Sequence, residues 1–323
     1  MFVGIDIGRS AVKAVGPRAT WIGPAGVRPG RPSRGPVGHP SVPSEAVTVE
    51  TGGRVWTLTD HSSAVFDLSL NKTSEGTVLA LLGALGRIIA DEGETPDEVV
   101  VVTGLPAALA ETDAEPLTKA VAQAVDAGTT VHTRGRTIAC PRRLQLRIHY
   151  EGDGIYEAAR RTGVMGTDGV VIDMGHVTIN IIEYVRGDRF QTYSIPGGGA
   201  EVFRRFGAAL LRKGLPLMKY SEAHYAAVRV LEGEGIGNIP HREALEILRQ
   251  EARAYFLESV WPEVRSLLGP GVVLSTVVIA GGAAELFPVG EVFPNAWVLS
   301  DPRLQQARGY AALAAEYARE ESS

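Results

Sequence analysis

Two short stretches carry residue types suited to phosphate chemistry: Asp6-Ile7-Gly8-Arg9-Ser10 and Asp173-Met174-Gly175-His176-Val177-Thr178. Each delivers an Asp, then a Gly, then a hydroxyl side chain at the end of a β-branched run. A turn of this composition can aim successive backbone N–H groups at an anion, with Ser10 or Thr178 adding a donor. Glycine suits it because a side chain would hold the backbone away from a phosphate. The carboxylates of Asp6 and Asp173 cannot bind phosphate. They fit the water shell of Mg²⁺, an ion that usually keeps several waters and takes only one or two carboxylates. Lys13 follows Ser10 closely enough to reach back as a point charge, or on a strand edge to be merely solvated. One such motif is an ordinary turn. Two, each on a fresh β-run a domain's length apart, point to a duplicated device. Neither stretch matches G-x-x-x-x-G-K-[ST] or G-x-G-x-x-G, which disfavours P-loop and dinucleotide-binding readings.

These turns need elements to hold them. Residues 1–7 and 12–15 read as a hairpin, and 47–58 as a second one around Gly52-Gly53. Val78, Leu81, Leu82, Leu85, Ile88 and Ile89 fall at helical spacing over 77–90. Residues 99–102 have the look of a strand buried on both faces; 117–125 is helical and 144–149 a strand. In the second half, 170–175 repeats the opening pattern, 178–185 alternates, and Gly187-Asp188 turns the chain into 190–195. Val202, Phe203, Phe206 and Leu210 form one face of a helix after Gly199. Residues 244–268 read as a longer helix kinked at Pro262, and 272–280 as a buried strand ending in Gly281-Gly282. Residues 16–43 differ. They are rich in Gly and Pro and carry Arg18, Arg28, Arg31 and Arg34. That composition excludes a helix or a central strand. The stretch reads as a long surface loop, or as a basic contact for a partner or another copy.

The chain has 323 residues, 45% hydrophobic and 21% charged, enough for roughly two domains and too apolar for disorder throughout. A net charge of −5, from 32 Lys+Arg against 37 Asp+Glu, gives no overall field to draw in a DNA backbone or an anionic membrane. A lone cysteine, Cys140, forms no internal disulfide and fits a reducing cytosol. One Cys and 7 scattered His show no zinc-ligand spacing. No apolar run approaches the ~20 residues of a membrane helix, and Asp6 falls where a signal peptide needs its apolar core. The expectation is a cytoplasmic protein of two domains.

On these residues the chain resembles the actin, sugar-kinase and heat-shock-chaperone ATPase superfamily, whose two phosphate loops look like the paired hairpins. Val277-Val278-Ile279-Ala280-Gly281-Gly282-Ala283-Ala284 resembles the superfamily's adenosine loop, and Pro196-Gly197-Gly198-Gly199-Ala200 the helix start that contacts nucleotide from the second domain. Val101-Val102-Thr103-Gly104-Leu105-Pro106 is similar to the V-T-G-L-P signature of bacterial and archaeal actin-like proteins of the ParM type. Asp301-Pro302-Arg303-Leu304-Gln305-Gln306-Ala307-Arg308-Gly309-Tyr310 resembles their C-terminal N-A-R-G-Y segment, and His39-Pro40-Ser41 stands where they carry F-P-S. The likeness runs through nearly the whole chain in the expected order.

The resemblance implies an α/β protein of the actin-like ATPase fold, with two duplicated, ribonuclease H-like α/β domains around a nucleotide cleft. Domain I would be residues 1–155 with a C-terminal helix, 305–323, packed back on it; domain II would be 156–304. The implied nucleotide contacts are Asp6, Gly8, Arg9, Ser10 and Lys13, then Gly175, His176, Val177 and Thr178, then Gly198, Gly199, Gly281, Gly282 and Ala283. Catalysis is carried over to Glu151, which falls where members hold a Gln or Glu that orients water, and to Asp173. Asp153 is the nearest competitor for Glu151, and otherwise a cap for the helix that follows. Asp6 and Asp173 would hold Mg²⁺ through water. Two positions depart from the pattern: His176 stands where a small residue is usual, and Ala283 where a third Gly is common. His176 would then either contact the anion or face solvent. The implied function is binding and hydrolysis of ATP, with GTP left open, coupled to head-to-tail polymerisation of the chain with itself. Its implied service is plasmid or other DNA segregation through a DNA-binding adaptor protein, with no direct DNA contact and no membrane. The alternatives are a soluble small-molecule kinase of the same superfamily and a non-hydrolysing, nucleotide-dependent scaffold.

Overall fold

The computed structural model describes residues 1–31, 46–59, 72–269, 276–293 and 295–320. Runs of Val and Ile, which suit a pleated and buried surface, open it as β1 (Phe2–Ile7) and β2 (Ala11–Val15). After them come β3 (Thr20–Pro24), β4 (Val27–Pro29), β5 (Val47–Thr51) and β6 (Arg54–Leu58). Next are α1 (Glu75–Glu92), β7 (Glu98–Leu105), α2 (Ala107–Asp126), β8 (Thr130–Thr133), β9 (Arg136–Ala139), β10 (Arg143–Tyr150) and α3 (Asp153–Arg161). The chain continues with β11 (Gly169–Met174), β12 (Thr178–Val185), β13 (Asp188–Pro196), α4 (Gly199–Arg212), α5 (Tyr220–Leu231) and α6 (His241–Tyr255). It ends with α7 (Trp261–Leu268), β14 (Val277–Ala280), α8 (Val289–Val292), β15 (Trp297–Val298) and α9 (Gln305–Glu320).

Two units divide these residues: those within 1–158 together with those from 306 onward, and those of 159–305. The first unit's main sheet has the order β3-β2-β1-β7-β10. Its β1–β2 and β2–β3 steps are antiparallel, while β7 lies parallel to β1 and β10 parallel to β7. The second unit's sheet, β13-β12-β11-β14-β15, repeats that scheme of antiparallel steps followed by parallel ones. Register repeats as well. Asp6 stands opposite Lys13 and Ile7 opposite Val12, as Asp173 stands opposite Asn180 and Met174 opposite Ile179. The fold is one α/β unit used twice, with the Asp-x-Gly motif at the same point of the same hairpin.

The first unit holds a further sheet, β4-β6-β5-β8-β9. Helix α1 is packed against both of that unit's sheets, so Leu81, Leu82, Leu85 and Ile88 are buried along with Val3, Ile5, Val49 and Val131. In the second unit Ile172, Ile181, Phe206, Leu210, Leu248 and Phe256 form the core. Burying each such side chain contributes about 1.5–3 kcal/mol.

The Gly/Pro/Arg-rich stretch is not one continuous loop. It contains β3 and β4, both at sheet edges. Pro24 and Pro29 are the last residues of these strands, where an absent N–H removes no interior ladder bond. Its residues 32–43, with Arg34 and His39-Pro40-Ser41, lie outside the described residues, as do residues 272–275 of the strand expected over 272–280. The helical run expected over 244–268 is continuous, as α6, a π-helical turn over Phe256–Val260 and α7, and Pro262 follows directly on the π-turn, the irregularity in the run. Helix α9 covers the first unit's sheet, burying Tyr310 and Ala314 against Val100 and Val102. Among the described residues no helix is long and apolar enough to cross a membrane.

Candidate functional site

The two Asp-x-Gly turns close in the same way. A Cβ on Gly8 would lie 2.6 Å from the Ala11 carbonyl oxygen, and one on Gly175 would lie 2.6 Å from that of Thr178. Each hairpin folds so tightly that its own backbone fills the place of a side chain, which only glycine permits. The surroundings of the turns then diverge. Lys13 lies on β2, an inner strand, rather than on a sheet edge. It is buried, and its Nζ donates to Asp6 Oδ2 at 2.9 Å. The reading of Lys13 as a solvated edge residue is therefore corrected. Arg9 leans towards α1, where Nη1 donates to Thr77 Oγ1 at 3.3 Å. A cavity of about 250 Å³ opens there, lined by Gly8, Arg9, Ser74 and Thr77 among others. Ser10, between Arg9 and the start of β2, is partly buried.

In the second unit, two distant backbone segments converge on the turn at 173–178. The Gly199 N–H donates to the Gly175 carbonyl at 3.2 Å and the Ala200 N–H to that of His176 at 2.7 Å. The Val177 carbonyl accepts from Gly197 at 2.8 Å, and the Ala283 N–H donates to Met174 at 2.8 Å. Gly281 has φ 105°, and a Cβ there would lie 2.5 Å from Asp173 Oδ1. Tyr255 of α6 supports the glycine run from behind, its hydroxyl accepting the Gly198 N–H at 3.3 Å. Asp173, Gly175, Gly198, Gly199, Gly281 and Ala283 are thus gathered in one place. Thr178 is buried at the start of β12. Gly282 borders open space, while the Ala283 side chain is buried in the hydrophobic core.

The His176 ring neither stands alone in solvent nor is it left uncommitted. Its Nε2 hydrogen-bonds the Tyr220 hydroxyl. Its ring centroid lies 5.4 Å from that of Phe203 on α4 and 5.4 Å from that of His224 on α5. Burial pushes the Tyr220 phenol up, so it keeps its proton at neutral pH.

Glu151 lies in the first unit, in the turn between β10 and α3, and is fixed from several sides. Its N–H donates to the Leu105 carbonyl at 2.8 Å. Gln306 of α9 accepts the N–H groups of Gly152 and Ile155 on one oxygen, at 3.1 and 3.3 Å. The Tyr310 hydroxyl donates to the Tyr150 carbonyl at 2.8 Å. The Glu151 carboxylate, nearly buried, is paired with the buried ammonium of Lys72. Asp153 is itself the first residue of α3, and its Oδ2 accepts the Tyr150 N–H at 3.2 Å. Its carboxylate serves the turn it belongs to. Sequence reading missed Lys72, Gln306 and Tyr255. Gln306 fell inside the segment that resembles N-A-R-G-Y, but Lys72 sits in a polar lead-in to α1 that carries no periodic signal.

Among the described residues no group of three or more His, Cys, Asp or Glu is gathered to hold a metal alone.

Residues 4–143 match the family model described as actin like proteins N terminal domain. No curated relative matches the chain. Among solved structures, an archaeal actin homolog superposes with a TM-score of 0.71 at 16% identity, over 98% of this chain and 99% of that one. The subunit of a 15-stranded ParM filament from Clostridium botulinum gives 0.71 at 14% identity, over 98% and 99%. MreB5 of Spiroplasma citri bound to AMPPNP gives 0.63 at 12% identity, over 99% and 98%. The chain has the actin-like fold.

Proposed function

We propose that the chain binds ATP, with GTP left open, through its two Asp-x-Gly hairpins, hydrolyses it, and polymerises head to tail. The observation that carries this reading is the repeated hairpin: the same register and the same glycine closure, with Asp6 and Asp173 at equivalent points. Backbone N–H groups of Gly8, Arg9 and Ser10, and of Gly175, His176, Val177 and Thr178, would receive phosphate oxygens. Gly198, Gly199, Gly281, Gly282 and Ala283 would supply the remaining nucleotide contacts. Glu151 would orient the attacking water. Asp173 and Asp6 would hold Mg²⁺ through its waters, and the bound ion would neutralise charge on the phosphates. Asp6 also faces the Lys13 ammonium, which weakens its hold on a cation. Support for nucleotide binding comes from an archaeal actin homolog in complex with ADP. Support for assembly comes from the ParM filament and from the double helical filament of MamK, which superposes with a TM-score of 0.60. A head-to-tail contact is heterologous and repeats without closing. The cellular role assigned is plasmid or other DNA segregation through a DNA-binding adaptor, since a net charge of −5 gives the chain no field of its own for DNA.

The test is right-angle light scattering after ATP-Mg²⁺ is added to the purified protein, with phosphate release read from the same sample. Scattering above a critical concentration together with phosphate release is expected. Phosphate release without scattering would replace the filament with a soluble ATPase or kinase, and nucleotide binding without either signal would leave a scaffold.

A further inference from the structure

We propose that Lys72 is a positioning residue for hydrolysis, holding the Glu151 carboxylate in the orientation that acts on water; this rests on the ATPase reading above. The backbone around Glu151 is already fixed by the Leu105 carbonyl and by Gln306. Orientation of the carboxylate then depends on the side-chain torsions, and the Lys72 ammonium bears directly on them. Lys72 is itself anchored. It lies two residues before Ser74, the N-cap of α1, and its backbone N–H donates at 3.3 Å to Oδ2 of Asp113 on α2, a carboxylate that is also buried. Only 3% of the Lys72 side chain and 11% of the Glu151 side chain is exposed. A surface lysine samples many rotamers and makes weak, screened pairs. Burial removes both freedoms, so this ammonium presents its charge from one point. A buried ion pair is a poor source of stability, because desolvation offsets its attraction, but it is an effective way to fix one geometry. Water attack on a phosphoryl group depends on such geometry, and misplacement of an orienting group by about 1 Å can slow a reaction by roughly 100-fold.

The test compares single-turnover phosphate release and fluorescent-ATP affinity for the wild type, Lys72→Met, Lys72→Arg, Glu151→Gln and the double variant Lys72→Met/Glu151→Gln. Lys72→Met is expected to slow hydrolysis roughly 10- to 100-fold while affinity stays within about 2-fold. Lys72→Arg should fall between it and the wild type. In the Glu151→Gln background, Lys72→Met should add less than about a 2-fold loss, since a residue that acts through Glu151 has nothing left to act on. Equal losses in both backgrounds, or an unchanged rate in Lys72→Met, would overturn the proposal. So would weakened affinity at an unchanged rate, which would put Lys72 on the nucleotide instead. If Lys72→Met does not fold, Lys72→Arg decides: a several-fold slower rate at retained affinity supports the role, and a wild-type rate overturns it. Absence of hydrolysis by the wild type is failure of the ATPase reading itself and takes this role with it. Wild-type hydrolysis that the lysine variants leave intact removes only Lys72.

Discussion

Asp6 and Asp173 hold equivalent points of equivalent hairpins yet face different residues, Lys13 and Asn180. The ammonium on Asp6 weakens its hold on a cation. Asp6→Asn should therefore slow Mg²⁺-dependent phosphate release by no more than about 10-fold; on the proposed metal role, Asp173→Asn should slow it by ~10²-fold, in a Mg²⁺ titration of each variant. Glu151→Ala should slow turnover by ~10²-fold or more while leaving nucleotide affinity intact, because the role proposed for it is to orient water rather than to bind. Glu92, the last residue of α1, gives a separate test by pH. Burial would raise its carboxyl, but the N–H groups of Arg18 and Ala19 and the Arg18 guanidinium outweigh that and hold it below the usual carboxylate range. A depressed carboxyl contributes stability that is full above the unfolded-state value and lost as pH falls through the folded one. Glu92→Gln should thus be less stable than wild type at pH 7, with the gap closing below about pH 4, as read from urea midpoints. Cys140 is pushed up to about 12 by burial. It should resist alkylation at neutral pH in the folded protein and react once the chain is unfolded, as followed by intact mass.

Helix α1 shows how far local pattern reaches. Leu81, Leu82, Leu85 and Ile88 were legible as one apolar face, because helical spacing is a property of neighbouring residues. Burial on the other side was not. Gly83 and Gly86 face Leu58 and Val131 of the third sheet, whose short strands β4, β8 and β9 leave little pattern to read. Composition also misled over residues 16–43, since Gly and Pro exclude a central strand but tolerate an edge one. The candidate site divides along the same line. Its Asp-x-Gly hairpins were readable because each is local and there are two of them. The Lys72–Glu151 pair and the Gln306 contacts join residues far apart in sequence, and such contacts leave no local trace. Two measurements follow at this scale. Leu85→Ala should cost about 2–5 kcal/mol, since α1 is wedged between two sheets and the space cannot collapse from one side. Gln306→Ala should cost about 1–3 kcal/mol by leaving the Gly152 and Ile155 N–H groups without their acceptor. Thermal or urea unfolding checks both.

The two units differ in how the chain supplies them. Residues 159–305 provide the second unit's elements in one run, whereas the first unit takes α9 from beyond that run. Tyr310 is fully buried there, against Val100 and Val102. A variant lacking residues 305–320 should lose the first unit's cooperative unfolding transition and keep the second's, in differential scanning calorimetry. The same arrangement bears on the making of the protein. A ribosome delivers β1 and β7 first, but the helix that covers them emerges only after the whole of the other unit. The half translated first is therefore the half completed last, and through most of synthesis the face of its sheet that α9 covers is exposed to chaperones and to other nascent chains.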